Sequence, residues 1–303
     1  SSDVCSSDLM ASSTAELSIE ERIENLKKPV WIGYPKAKEI LAKLDELFHY
    51  PTMHRMPNLA IIGETNNGKT MLLNAFYRSH SPDDAALMSG EQNTELPVLK
   101  MQSPPEPNEN RLYSDILLRL FSSASTREST ESKLQRIKIL LTNLNTRMII
   151  LDEFQNALAG TGNRLRRFLN AIKYLGNELQ IPIVVAGTPE TLNVLQADPQ
   201  IKNRFEPVFL HKWDFDNEFL RLLATFETRW LPLQQPSKLH QPKIAKRLYD
   251  ECEGTIGELS RLLQLLAREA IRSGSETITK ELLSYERLKK LGWKSPSVRN
   301  NYY

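Results

Sequence analysis

The stretch Leu59-Ala-Ile-Ile-Gly-Glu-Thr-Asn-Asn-Gly-Lys-Thr70 decides how this chain reads. A short apolar run, Leu59 to Ile62, leads into the pattern G-x-x-x-x-G-K-[ST]. Met71, Leu72, Leu73, Ala75 and Phe76 then supply an apolar helix face. A strand, a tight turn and a helix in this order make a phosphate cradle, because the amides of the turn and of the first helical turn point inward at an anion. The expected contacts with ATP are Gly63, Glu64, Thr65, Asn66, Asn67, Gly68, Lys69, Thr70 and Met71. Lys69 would reach the β- and γ-phosphates, and Thr70 would offer its hydroxyl to Mg²⁺. Glycine at 63 and 68 lets backbone approach phosphate without a Cβ in the way. The plainer reading, a Gly/Asn turn between a strand and a helix, leaves the flanking apolar runs as coincidence.

Such a site needs acids at the end of a second buried strand, and Met148-Ile-Ile-Leu-Asp-Glu153 supplies them. Asp152 would hold Mg²⁺, and Glu153 would polarise the attacking water as a general base. A third strand, Ile183-Val-Val-Ala-Gly187, closes on Thr188. Thr188 suits γ-phosphate sensing, an N-cap for the next helix, or both. Arg204, directly before Phe205, is expected to clamp the γ-phosphate held by a neighbouring subunit, which implies an oligomer. The alternative is a surface arginine packing its stem, and Arg166 and Arg167 are rival clamps. Gly254-Thr-Ile-Gly-Glu-Leu-Ser-Arg261 opens an amphipathic helix, from which Arg261 either leans onto the nucleotide or stays solvated.

The order of these features resembles that of the AAA+ ATPases. A finer match lies in Ile32-Gly-Tyr-Pro-Lys-Ala-Lys38, Pro57-Asn-Leu-Ala-Ile-Ile-Gly63, Thr65-Asn-Asn-Gly-Lys-Thr70, Gln102-Ser-Pro-Pro105, Arg111-Leu-Tyr113 and Leu151-Asp-Glu-Phe-Gln-Asn156. These runs resemble the TniB family of transposition ATPases, relatives of TnsC, over roughly residues 30 to 296. The resemblance implies a P-loop AAA+ fold and Mg²⁺-dependent ATP hydrolysis. It also implies a regulator that binds duplex DNA in the ATP state, oligomerises on it as a ring or filament, and recruits or activates a DDE transposase. A TniQ-type target selector is an implied partner, and slow hydrolysis would serve as a disassembly timer. A loader for another DNA-processing enzyme, or a nucleotide-gated scaffold with little turnover, is the alternative. Glu64 departs from expectation, since it places an acid in the phosphate loop.

Composition bounds the rest. With 303 residues and 40% hydrophobic content the chain can bury a large core, and a net charge of +2 does not by itself announce nucleic acid. The two cysteines, Cys5 and Cys252, offer no disulfide framework, and no apolar run is long enough for a membrane span. A reducing cytosol is the natural compartment, and the resemblance implies a bacterial one, with the protein working on DNA.

Residues 1–9 repeat Ser-Ser-Asp and read as a non-native leader, with Met10 as the start. Residues 10–30 read as a polar N-terminal arm and 31–212 as an α/β nucleotide-binding domain with a mainly parallel five-stranded sheet. A small helical lid follows over 213–292, then a basic and aromatic tail over 293–303. Strands are expected at Leu59–Ile62, Val98–Met101, Met148–Leu151, Ile183–Ala186 and Val208–Leu210. No base-reading motif appears, so DNA would be held through its backbone. Lys100, Arg127, Lys133 and Arg136 are the candidate contacts, with the cations from Arg287 to Arg299 as a further basic stretch; a solvated helix face or a flexible tail is the plainer reading of either basic region.

Overall fold

The computed structural model of the chain describes residues 17–81, 95–123, 125, 127–160 and 162–300. The expected leader, Met10, most of the connection after Ser81 and the last two tyrosines lie outside them. The chain divides into two compact units: one comprises Pro35–Thr65 and Lys69–His211, the other the segment up to Tyr34, Asn66–Gly68, and the chain from Lys212 onward.

The first unit is built on one parallel sheet. Its strands are β1 (Asn58–Gly63), β2 (Val98–Gln102), β3 (Met148–Asp152), β4 (Ile183–Gly187) and β5 (Phe205–Leu210), in the order β2-β3-β4-β1-β5. Parallel strands need crossover connections, and these cover both faces with helices. Every residue of β3 and β4 is therefore buried, which is why both read as unbroken apolar runs. Leu112, Ile137, Ile149, Phe154, Phe168 and Val185 lie in one continuous core.

β5 begins three residues earlier than the pattern predicts. Glu206 and Pro207 hid its first half, because proline interrupts a central strand. Here β5 is an edge strand paired only with β1, so the missing amide of Pro207 costs no ladder bond. At the other end of that pair, a Cβ on Gly63 would sit 2.7 Å from the Leu210 carbonyl oxygen, so the strands close tightly where the phosphate loop starts.

The second unit is all helical. Helices Asn217–Arg229, Pro242–Cys252 and Ile256–Arg272 bury Phe219, Leu223, Leu248, Leu263 and Leu266 against one another. A short helix, Tyr285–Lys290, follows.

Contacts group two segments differently from the expected bounds. Residues 31–34 belong with this unit, where the Tyr34 ring meets Trp213 edge-on at 4.8 Å between centroids. Of the expected N-terminal arm, the described helix also enters its core. Helix Ile19–Leu26 starts at a capping box between Ser18 and Glu21, and it buries Leu26 and Arg22. The Arg22 Nε donates to the Pro232 carbonyl at 2.9 Å and Nη1 to Glu276 at 3.0 Å. Arg22 is 2% exposed, and its bond is the main reason the Glu276 carboxyl titrates below the usual carboxylate range. A single arginine among polar residues gives no periodic signal, so the pattern concealed this anchor. Arg22→Ala should destabilise the unit by about 3 kcal/mol, because it strands a carboxylate and a carbonyl. A denaturant titration followed by tryptophan fluorescence would measure it, and an unchanged midpoint would contradict the anchoring role.

Candidate nucleotide site

The phosphate loop starts where β1 ends, and Lys69 opens the helix Lys69–His80. Between them Asn66 (φ 62°) and Gly68 (φ 87°) take left-handed backbone, a conformation that asparagine and glycine tolerate best. Lys69 is 5% exposed, and its ammonium donates to the carbonyls of Gly63 at 2.7 Å and Glu64 at 2.8 Å. Burial lowers the Lys69 pKa, opposed by the charges of Glu153, Asp152 and Glu64. Glu64 itself is exposed, and the loop uses its backbone carbonyl to hold the lysine.

The two expected metal ligands meet directly. The Thr70 hydroxyl donates to Asp152 Oδ2 at 2.7 Å, and Asp152 Oδ1 accepts the Glu153 amide at 2.9 Å. Asp152 is 2% exposed. A hydroxyl and a carboxylate are hard oxygen donors, a set that fits Mg²⁺. The next residue, Glu153, sits at φ 55°, ψ 41°. For a side chain of that size the left-handed region costs about 1–2 kcal/mol. Strain of this kind collects where a side chain must be aimed.

Thr188 lies at the end of β4, one strand over from β3. It does not cap the following helix: that helix, Thr191–Gln196, begins after Glu190 with no side-chain cap bond. The Thr188 carbonyl accepts the Thr191 amide at 2.9 Å, and its hydroxyl holds the nearby Glu190 carboxyl below the usual carboxylate range.

Arg204 sits at the opposite end of the sheet. Its carbonyl accepts the Asn58 amide at the start of β1, and Phe205 pairs with Asn58 while Leu210 pairs with Gly63. The length of β1 therefore separates Arg204 from its own phosphate loop, about 17 Å at the rise of a parallel strand. An arginine side chain falls far short of that distance. Arg204 donates to Asn177 Oδ1 at 2.8 Å and faces a cavity of ≈ 900 Å³ together with Lys43, Arg55 and Glu206. Burial and the neighbouring Arg55 lower its pKa. The rivals Arg166 and Arg167 are exposed on the helix Asn163–Leu179.

In the helical unit, Arg261 makes a 3.3 Å ion pair with Glu258 and its side chain is 58% exposed. Glu258 also accepts the Asn66 amide at 2.8 Å and pairs with Arg299. The Gly257 amide donates to the Asn66 carbonyl at 3.0 Å, and a Cβ on Gly257 would lie 2.1 Å from Asn66 Oδ1. Sequence reasoning missed Glu258 as a hub for the loop tip. Its one signal was the glycine before it, which clears the space.

Three of the expected DNA contacts bond neighbouring oxygens within the chain. Lys133 is 1% exposed, with its ammonium on Asn110 and Ser114 at 2.7 and 3.0 Å. Arg136 is taken up by Glu128, Ser122 and Ser123. Lys100 donates to Asn74 at 2.7 Å, and burial lowers its pKa. Lys133 is thus enclosed, whereas Lys100 and Arg136 are partly buried with their heads on neighbouring oxygens. Arg127 is exposed. The tail is pinned too: Trp293 donates to Glu251 at 2.9 Å, and the Ser297 amide to Glu253 at 2.8 Å.

Among the described residues no helix is long and apolar enough to cross a membrane. A comparison with curated protein sequences finds no match. Solved structures give a different result. The Aeropyrum pernix ORC2 protein, in ADPNP and ADP complexes, is 16% identical with a TM-score of 0.62, over 88% of this chain and 71% of that one. Cdc6p from Pyrobaculum aerophilum is 18% identical with a TM-score of 0.60, over 88% and 71%. The Aeropyrum pernix ORC1 protein in complex with DNA is 19% identical with a TM-score of 0.58, over 89% and 69%. At these identities the likeness establishes the fold, that of the P-loop AAA+ ATPases. The family profile described as "Bacterial TniB protein" matches residues 22–215, which hold the phosphate loop, the Asp-Glu strand, Thr188 and Arg204. This chain belongs to the TniB family.

Proposed function

We propose that this protein is a Mg²⁺-dependent ATPase that binds duplex DNA in its ATP state, assembles on it as an oligomer, and recruits or activates a DDE transposase. The contact between Thr70 and Asp152 carries the reading, because it joins a loop hydroxyl and a strand-end carboxylate into one oxygen-donor pair beside Lys69. Lys69 and the loop amides would bind the β- and γ-phosphates, Thr70 and Asp152 would hold Mg²⁺, and Glu153 would take the proton of the attacking water. The metal would supply charge neutralisation on the phosphate oxygens. Family membership supports the link to transposition, to a TniQ-type selector and to the bacterial cytoplasm.

Arg204 completes the site from the next subunit, since it lies a strand length from its own loop. A titration with Mg·ATP, followed by imaging with duplex DNA and a non-hydrolysable analogue, tests nucleotide binding and assembly together. Arg204→Ala should lower turnover on the order of 10³-fold while leaving ATP binding intact. Mixing it with Glu153→Gln should restore part of the activity, because some interfaces then pair an intact base with an intact arginine. A mixture as inactive as its components would contradict the trans arrangement.

A further inference from the structure

Granted the hydrolytic reading above, we propose that Gln155 is a positioning residue that fixes the general base Glu153 and ties it to the end of β4. Gln155 lies in the short 3-10 helix Phe154–Ala159 directly after the Asp-Glu pair. Its side chain makes two bonds of opposite sense. Nε2 donates to Glu153 Oε2, and Oε1 accepts the Thr188 amide at 3.2 Å. Only one amide orientation satisfies both, because a flipped amide would set oxygen against carboxylate and NH₂ against N–H. Gln155 therefore bridges the base just after β3 and the candidate sensor just after β4 with a single planar group.

Two further features show a built contact. The space for the bridge depends on Gly187, where a Cβ would lie 2.5 Å from Gln155 Oε1 and 2.2 Å from Thr191 Oγ1. Glu153 is left-handed, so its backbone alone does not hold the carboxylate at a preferred angle. A general base acts only within hydrogen-bond reach of its water, so the direction of that carboxylate sets the rate. Displacement of Thr188 at the end of β4 would reach Glu153 through the same amide.

The test separates the two bonds and separates positioning from packing. Gln155→Met keeps length and bulk but can neither donate nor accept. Gln155→Glu keeps the acceptor toward Thr188 and loses the donor toward Glu153. Turnover with duplex DNA, Mg·ATP affinity, the melting midpoint and hydrogen exchange at the Thr188 amide would be measured for each. Both variants should lose about 10- to 100-fold in kcat, with ATP affinity and melting midpoint near wild type. Thr188 exchange should accelerate in Gln155→Met and stay protected in Gln155→Glu. Wild-type kcat in Gln155→Met would overturn the proposal and leave the ATPase reading standing. So would a loss of ATP affinity in step with kcat. A wild-type chain that binds but never hydrolyses ATP would overturn both.

Discussion

Lys69→Ala is expected to abolish useful ATP binding, weakening it at least about 100-fold, and with it any DNA-dependent assembly. The reason is where the ammonium sits. Lys69 is buried under the loop on two carbonyl oxygens, with Glu64, Asp152 and Glu153 close enough to perturb it electrostatically. Removing this ammonium takes away the loop's positive charge beside Glu64, Asp152 and Glu153, where the triphosphate would lie. Each charge-assisted bond lost is worth about 1.5–3 kcal/mol. Lys69→Arg should not rescue binding, because the forked guanidinium does not fit a space closed over a point charge. The fold should survive either change, since the apolar core of the sheet makes no use of Lys69. Calorimetric titration with Mg·ATP reads the affinity, and imaging on DNA reads the assembly. Normal assembly by Lys69→Ala would end the case for nucleotide control.

Much of this site was legible in the sequence because its parts are local. Gly63 to Thr70 is one continuous loop, and Asp152 and Glu153 are consecutive at the end of an apolar run, so pattern alone could place them. The parts that stayed hidden depend on partners far apart in the chain. Arg22 bonds a carboxylate 254 positions away, and Glu258 gathers Asn66 and Arg299 from opposite ends of the sequence. Lys133 looked like a surface cation until its two oxygen partners on the neighbouring helix appeared. Charge says that a residue needs a partner; only the fold says whether the partner is solvent, a phosphate or a neighbouring side chain. β5 makes the same point for backbone. Pro207 argues against a strand until the strand proves to be an edge.

Glu153→Gln should remove turnover, by about 10²- to 10⁴-fold, while preserving or strengthening ATP-dependent DNA binding. The substitution keeps the side-chain length and removes the basic lone pairs that would accept a proton from water. Local geometry has every reason to persist: the Asp152 carboxylate holds residue 153 through its backbone amide, and Gln155 can still donate to a side-chain carbonyl there. The Thr70–Asp152 pair does not involve this side chain at all. Electrostatics favour the bound state further, because one of the negative charges around Lys69 disappears before the triphosphate arrives. If hydrolysis is the timer, complexes of Glu153→Gln with DNA and ATP should outlast those of wild type by the ratio of their turnover rates. Single-turnover ATPase assays and DNA dissociation rates would measure both. A variant that stops hydrolysing yet leaves DNA at the wild-type rate would separate release from the chemistry. One that loses DNA along with turnover would mean that Glu153 supports assembly rather than its ending.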